Sequence, residues 1–165
     1  LRTMLEERRI AFAPIADLTP HIVISRSHPL VQRGAEVTLE ALQDYGFVRY
    51  SGQYEDFIYN ISTENQSLDL NGSSRIIYVY ALAALLHLIA NSSFYTIGIQ
   101  SFLTQDSMYQ ILSVPIANCT GRLRFGIVTR QGAPLTEPEQ EFITDVTARY
   151  GRLQAMEAAE RGDRS

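Results

Sequence analysis

The chain has 165 residues, a mass of 18.6 kDa, a net charge of −4 and a pI of about 5.4. This length fits one ordinary domain or two small lobes. A hydrophobic content of 45% permits a sizeable core and excludes global disorder. All 14 basic side chains are Arg, and the acidic balance argues against a dedicated nucleic-acid-binding domain, which usually presents a basic face.

Cysteine count and hydropathy exclude further classes. Cys119 is the only cysteine, so neither an internal disulfide nor a cysteine-based zinc cluster can form. No apolar run reaches the roughly 18 residues of a transmembrane helix, so we expect no membrane span. Leu1 is not an initiator Met, and no charged-then-apolar leader opens the chain. We therefore expect an internal piece of a longer protein, cytoplasmic by default.

The first 29 residues predict one strand, which a short extended run precedes. Residues 1–9 are charged and helix-prone, like the end of a helix. Residues 10–15 form a short extended run interrupted by Pro14. The β-branched run Ile22–Ser25 predicts a buried strand. Ser27-His28-Pro29 ends it, because the residue before Pro is disfavoured in the helical region.

The next segment predicts alternating helix and strand. Thr38 is a good N-cap for a helix that begins TLEAL, with Glu40 in its first turn. Gly46–Tyr50 predicts a second strand. The apolar spacing of Gln53–Ser62 fits a helix, and the polar, Gly-containing Ser67–Ser74 predicts a loop.

Four more strands and two helices are predicted beyond this loop. The strands are Arg75–Tyr80, Tyr95–Gln100, Gln110–Pro115 and, last in the chain, Leu123–Thr129. Ala81–Ala90 is helical by composition, and its predicted apolar face consists of Leu82, Leu85, Leu86 and Ile89. Alternation of strands and helices indicates an α/β sheet with helical crossovers, which binds ligands at the carboxyl ends of its strands.

The final helix is predicted from a capping box that begins at Thr136, with Glu139 three residues later and Pro138 in the first turn. Its apolar positions repeat at helical spacing: Phe142, Ile143, Val146, Tyr150 and Leu153. From Gln154 onward we expect the helix to fray. Its carboxylates indicate a solvated face.

No catalytic constellation is present in the sequence. His21, His28 and His87 stand in unrelated contexts, and neither an HExxH, a GxSxG nor a Walker pattern occurs. Cys119 is either a nucleophile or, on the simpler interpretation, a small loop or core residue. His87 lies opposite the apolar helix face, so it is either solvated or part of a partner interface. We therefore predict no enzyme activity, no cofactor and no metal site.

One segment has the character of a binding site, since it joins the end of a strand to a predicted helix start. The candidate effector-binding residues are Tyr50, Ser51, Gly52, Gln53 and Tyr54. Ser51 can cap, Gly52 lets the backbone approach a guest, and first-turn N–H groups can hold an oxyanion. Against this, Glu55 and Asp56 already supply negative charge to that turn. An ordinary capped strand-to-helix turn therefore remains the alternative.

The order of several short motifs resembles LysR-type transcriptional regulators. The matching segments are Ile22–Leu30 (IVISRSHPL), Val37–Leu42 (VTLEAL), Gly46–Tyr50 (GFVRY) and Leu123–Thr129 followed by Pro134-Leu135-Thr136. In that family a strand, a His-Pro-Leu, a short helix and an extended segment follow in this order. The resemblance covers roughly residues 10–152.

The resemblance implies the effector-binding part of such a regulator, with an α/β fold like that of type 2 periplasmic binding proteins. It implies that the second lobe is complete and the first lobe partial. Residues 1–26 would hold the remnant of lobe I and the first crossing strand, and residues 27–109 would form lobe II. Residues 110–165 would hold the return crossing strand and the C-terminal part of lobe I. The winged helix-turn-helix that reads DNA in this family has no counterpart in the chain.

The resemblance also implies a site and an interface. In the family a small-molecule effector binds between the lobes, and the loop at Tyr50–Tyr54 is one wall of that cleft. An organic acid or an aromatic metabolite would suit it. Family members are homodimers or tetramers that pair through the second-lobe helix, so His87 and Leu88 would be interface residues. Ser92 and Phe94 depart from the family by standing where glycines are usual, which implies a different turn that could narrow the cleft.

The function implied is that of a cytoplasmic, non-enzymatic sensing domain. Effector binding would change the geometry of the oligomer on DNA, which the chain would reach only through a separate winged helix-turn-helix. A secreted solute-binding protein of the same fold is the alternative. The His-Pro-Leu and terminal-helix features argue against that alternative.

Overall fold

The computed structural model describes residues 9–51, 60–100 and 109–162 of the chain, the last three by their backbone alone. Within these residues the strands are β1 (Ile10–Leu18), β2 (Pro20–Ser25), β3 (Phe47–Tyr50), β4 (Asn60–Ser62), β5 (Ser67–Asp69), β6 (Ile76–Val79), β7 (Thr96–Ile99), β8 (Ile111–Pro115) and β9 (Leu123–Arg130). The helices are α1 (Pro29–Gln32), α2 (Leu39–Gln43), α3 (Leu82–Ala90) and α4 (Glu137–Gly162). None of these helices combines the length and apolarity that crossing a bilayer requires.

The chain folds into two compact units. The terminal unit joins the described residues up to Leu18 with those from Leu123 onward, and the central unit is Thr19–Arg122. The terminal unit holds β1, β9 and α4. All other elements belong to the central unit.

The terminal unit is a two-stranded antiparallel sheet with one long helix packed on it. Its register runs from Ile10 opposite Arg130 to Leu18 opposite Leu123. Pro14 has no N–H to donate to a neighbouring strand, and a bulge between Pro14 and Ala16 accommodates this interruption of the pairing. β1 therefore continues to Leu18, beyond the short extended run that the sequence predicts.

The helix α4 contacts this sheet along one stripe of side chains. The rings of Phe125 and Tyr150 stack at 4.2 Å, and Leu153 is 1% exposed. The side chain of Gln154 accepts the backbone N–H of Asp17 at 2.9 Å. The predicted fraying from Gln154 onward is therefore wrong, since burial and this hydrogen bond hold the helix to Gly162.

The central unit is built on three groups of strands. An antiparallel sheet has the order β7-β2-β8, β3 and β6 form a parallel pair, and β4 and β5 form a hairpin. A parallel bridge between Phe47 and Tyr95 joins β3 to the start of β7. Ile22 and Ile24 of β2 are fully buried, as the predicted strand Ile22–Ser25 requires.

The connection between β3 and β6 differs from the prediction of a helix followed by a loop. Residues 53–59 of the predicted helix lie outside the described residues, but Asn60–Ser62 is strand β4, paired with β5. The predicted loop Ser67–Ser74 contains β5 and a 3-10 turn at Leu70–Gly72. Ile61 and Leu70 are each 1% exposed. The hairpin forms because it buries these two side chains in the core under β3.

The predicted helix starts at Thr38 and Thr136 are confirmed. The Thr38 hydroxyl accepts the N–H of Ala41 at 3.2 Å. At α4 the backbone N–H of Thr136 donates to the Glu139 carboxylate at 2.7 Å. Both helices thus begin where a side chain satisfies an otherwise unpaired backbone group.

A candidate effector-binding site

The parallel pair β3–β6 brings two chain segments to one edge of the central unit. Tyr50 lies opposite Val79, the last residue of each strand. The N–H of Ser51 then donates to the carbonyl of Val79 at 2.7 Å. The segment that follows β3 and the helix that follows β6 therefore start side by side, which is the arrangement in which α/β sheets bind ligands.

Two of the five predicted effector-binding residues are described. Tyr50 is half-buried and packs against the core formed by Val48, Leu85, Ile89 and Ile111. Ser51 is exposed at the edge. Gly52, Gln53 and Tyr54 lie outside the described residues, as do Glu55 and Asp56, so those predictions stay predictions.

The start of α3 adds a feature that the sequence analysis missed. Its N-cap is Ala81, with extended φ −129° and ψ 134°. Within residues 9–51, 60–100 and 109–162, no side chain caps this helix start, and its first turn carries no acidic residue. The first N–H bonded within the helix is that of Leu85, to Ala81 at 3.1 Å. The three preceding N–H groups therefore make this an anion-attracting helix start. The available signal was the Ala at a position that Ser, Thr, Asp or Asn usually holds.

Exposed aromatic side chains lie beside this helix start. Tyr80, immediately before Ala81, is 80% exposed, and Tyr78 is 53% exposed. The guanidinium of Arg49 lies over the Tyr78 ring, 5.9 Å from its centroid, and hydrogen-bonds to Asn71. Aromatic walls next to free N–H groups suit an organic anion that also presents apolar surface.

The opposite end of α3 is held by side chains from β2 and the His-Pro-Leu motif. The Ser25 hydroxyl donates to the carbonyl of Ala90 at 3.0 Å. His28 donates from Nε2 to the carbonyl of Ser93 at 3.0 Å, while its Nδ1 accepts the N–H of Leu30 at 3.2 Å. This pattern requires the neutral imidazole, and burial lowers the pKa of His28, although the Ser93 bond partly offsets that effect. The motif thus has a structural role here.

Ser92 and Phe94 lie in a turn that the Ser92 side chain caps. The Ser92 hydroxyl donates to the carbonyl of Leu88 at 2.7 Å and accepts the N–H of Phe94 at 3.2 Å. The Phe94 ring packs against the backbone of Gly46. These contacts describe the turn at Ser92 and Phe94, and its predicted difference from the turn of the family stays a prediction.

The helix α3 presents a partly different face from the one predicted. Leu85 and Ile89 are buried as expected, but Leu82 is 62% exposed, because it lies in the first turn beyond the edge of β3. His87 is exposed, whereas Leu88 is half-buried and packs against the core of its own unit.

The remaining candidate groups, His21 and Cys119, lie on different segments of the central unit. The Nδ1 of His21 and the Ser113 hydroxyl lie 3.2 Å apart inside the β-sheet. Burial raises the pKa of the Cys119 thiol, and nearby Gly121 and Arg122 oppose this only in part, so a thiolate nucleophile is disfavoured. Among the residues that the structure describes, no group of three or more His, Cys, Asp and Glu side chains could hold a metal ion.

Comparison with known proteins places the chain in a family. Residues 2–150 match the LysR substrate binding domain. The effector binding domain of QuiR, solved with shikimate, superposes with a TM-score of 0.57 and 18% identity, over 88% of this chain and 67% of that one. The Synechocystis PCC6803 CcmR regulatory domain, solved with 2-PG, superposes with a TM-score of 0.53 and 17% identity, over 88% of this chain and 69% of that one. HinK, a LysR family transcriptional regulator from Pseudomonas aeruginosa, superposes with a TM-score of 0.57 and 13% identity, over 88% of this chain and 49% of that one.

The chain belongs to the LysR substrate binding domain family, because the match covers most of its length. The predicted family and the predicted α/β fold of the type 2 periplasmic-binding-protein kind are confirmed. The chain spans about half the length of HinK and 67% of the QuiR domain. No curated protein sequence matches it, and the secreted solute-binding alternative gains no support from these comparisons.

Proposed function

We propose that this chain is the small-molecule-sensing domain of a LysR-type transcriptional regulator. The observation that carries the proposal is the match of residues 2–150 to that family's substrate binding domain. The whole regulator would bind DNA through a winged helix-turn-helix outside this sequence, and it would act in the cytoplasm. Effector binding would shift the population of regulator conformations, with no chemical step.

The effector site in this proposal is the edge at which β3 and β6 end. Tyr50 and Ser51, with Gly52, Gln53 and Tyr54, would contact the effector from the β3 side. The free N–H groups at the start of α3 would hold its negative charge, and Tyr80 would cover its apolar part. A small organic acid fits this combination, and the related QuiR domain was solved with one, shikimate.

The proposed organisation follows the family. Residues 27–109 would act as lobe II, and the flanking segments 1–26 and 110–165 would supply the crossing strands and the part of lobe I that the chain contains. Regulator subunits would pair as homodimers or tetramers through the α3 face, where His87 is exposed.

An added charge at the helix start tests the site. Replacing Ala81 by Asp places a carboxylate where it can accept the free N–H groups of α3. This variant should unfold at a higher temperature, since N-caps stabilise by about 1 kcal/mol. It should also lose affinity for organic acids at least tenfold. Titration calorimetry with shikimate and a panel of small carboxylates measures the affinity.

Ala81→Asn is the matched control, because it caps the same groups without a charge. It should raise the thermal stability similarly and weaken binding less than Ala81→Asp does. Unchanged affinity in the Asp variant would remove the α3 start from the site. No binding of any carboxylate to the unmodified chain would contradict the proposed effector class.

A further inference from the structure

The two ends of α3 differ in how side chains satisfy their backbone groups. At the end of the helix, the Ser25 hydroxyl donates to the carbonyl of Ala90 at 3.0 Å. Just beyond it, the Nε2 of His28 donates to the carbonyl of Ser93 at 3.0 Å. At the helix start, no side chain in the part of the chain that the structure describes accepts the N–H groups that follow Ala81. Hydrogen bonds from other elements therefore act on the end of α3 and not on its start.

The two donors are held in place by contacts that do not involve α3. Ser25 is the last residue of β2 and is buried, and the backbone N–H of Ser27 donates to its hydroxyl at 3.2 Å. His28 is buried as well, and its Nδ1 accepts the N–H of Leu30 at 3.2 Å. The ring of His28 also lies 4.5 Å from that of Tyr45, centroid to centroid. The positions of both donors are therefore set by β2 and by the start of α1.

The apolar contacts of α3 bury the helix but determine its position along its own axis less strictly. Leu85 and Ile89 pack in a cluster with Val48 and Ile111. Hydrophobic attraction is not directional, so it tolerates a small sliding or rotation that a hydrogen bond does not. The helix has nine residues, which corresponds to a length of about 13 Å. Because a helix this short moves as one element, a shift at its end displaces its first turn.

We propose that Ser25 and His28 are positioning residues of the effector site. By fixing the end of α3, they hold its first turn beside the ends of β3 and β6, where the effector's negative charge is proposed to bind. Neither side chain touches the effector, because both lie about one helix length, or about 13 Å, from the first turn. They act through α3 alone. This inference rests on the proposed function.

Removal of one hydroxyl tests the positioning role. Ser25→Ala deletes the bond to Ala90 with little change in volume. It should weaken the binding of shikimate, or of whichever carboxylate in the panel binds the unmodified chain most tightly, by about tenfold, the equivalent of one hydrogen bond. Thr38→Ala is the matched control, since it also deletes one hydroxyl bond, to the N–H of Ala41 at the start of α2. It should lose stability to a similar degree and keep the affinity, because α2 does not carry the effector site.

Proton–nitrogen NMR of the chain without any carboxylate supplies a second measurement. Ser25→Ala should shift the amide signals of Leu82–Leu85, which form the first turn of α3, whereas Thr38→Ala should leave these signals in place. His28→Leu should shift the same signals, because it deletes the bond to Ser93. His28→Gln should shift them less, because its side-chain amide can still donate to that carbonyl.

The outcomes distinguish this inference from the proposed function. If a carboxylate binds the unmodified chain and Ser25→Ala equally well, the positioning role is overturned and the proposed effector class stands. Signals of Leu82–Leu85 that stay in place in Ser25→Ala, or that shift equally in Thr38→Ala, would also overturn the positioning role alone. If no carboxylate binds the unmodified chain, the proposed effector class is overturned and the positioning role with it.

Discussion

The ring of Phe94 occupies the space that a side chain at position 46 would need. A Cβ built on Gly46 would lie 2.6 Å from Cζ of Phe94 and closer to other atoms of the ring. The backbone bonds around them tie the two segments together, since the N–H of Tyr95 donates to the carbonyl of Gly46 at 3.0 Å. The bulky Phe94, which follows α3, is thus accommodated by the glycine that immediately precedes β3.

Gly46→Ala should therefore lower the free energy of unfolding by about 1–3 kcal/mol, the range for overpacking a core. Denaturant unfolding measures the loss. Adding Phe94→Leu should recover part of it, because the two sites are coupled. Gly151→Ala is the control, since nothing lies within 4 Å of a Cβ there and Ala favours a helix by up to about 1 kcal/mol. Equal losses at positions 46 and 151 would contradict the contact.

Stability should fall as the pH is lowered through the range in which unfolded His titrates. The unfolded imidazole titrates near its ordinary value of 6.5, whereas burial lowers the pKa of His28 in the folded state. Below about pH 6.5 the unfolded chain therefore binds more protons than the folded one, and the contribution of His28, complete above that pH, is progressively lost. Urea unfolding at a series of pH values measures the loss.

His28→Gln should be less stable at neutral pH and should show a weaker pH dependence between pH 7.5 and 5.5. His87→Gln is the matched control, since His87 is exposed on α3, and it should keep the slope of the unmodified chain. If both variants keep that slope, the hydrogen bonds of His28 to Ser93 and Leu30 do not determine how the free energy of unfolding depends on pH.

The double variant Ser51→Ala with Gln53→Ala should abolish the effector response and leave the fold intact. Ser51 is exposed, and its structural bond to Val79 uses the backbone N–H, which the substitution keeps. Effector affinity and circular dichroism, measured together, separate the two effects. Affinity equal to that of the unmodified chain would remove this loop from the site.

Leu88→Glu should weaken pairing through the α3 face. Because Leu88 also packs against the core of its own unit, the thermal stability of the variant has to be followed beside its mass in solution. His87→Glu introduces the same charge at an exposed neighbour and tests the surface without disturbing the core. A mass unchanged in both variants would rule out this face as an interface.

The regular elements could be predicted from the sequence where one pattern dominates. β2, β6 and β8 follow from β-branched runs, and α2 and α4 follow from their caps at Thr38 and Thr136. The hairpin β4–β5 could not be predicted in this way, because Ile61 and Leu70 are isolated apolar residues whose burial depends on β3 lying above them. Likewise, α4 persists past Gln154 through a contact with Asp17, 137 positions earlier in the chain.

The candidate site was predicted from one side only. The loop after β3 can be identified from neighbouring residues alone, because Ser51 can cap a helix and Gly52 lets the backbone approach a ligand. The start of α3 was missed because its character comes from the absence of a cap at Ala81, and because parallel pairing with β3 brings it to the same edge. Distant pairing of this kind leaves no trace in local composition.

The end of α4 has a practical consequence for how this domain is delimited. The family match ends at residue 150, yet Leu153 is almost fully buried and Gln154 satisfies the backbone of β1. A boundary drawn at the limit of family likeness would remove the side chains that fasten the helix to its sheet. The segment that matches the family therefore ends before the segment that packs as one folded unit in this chain.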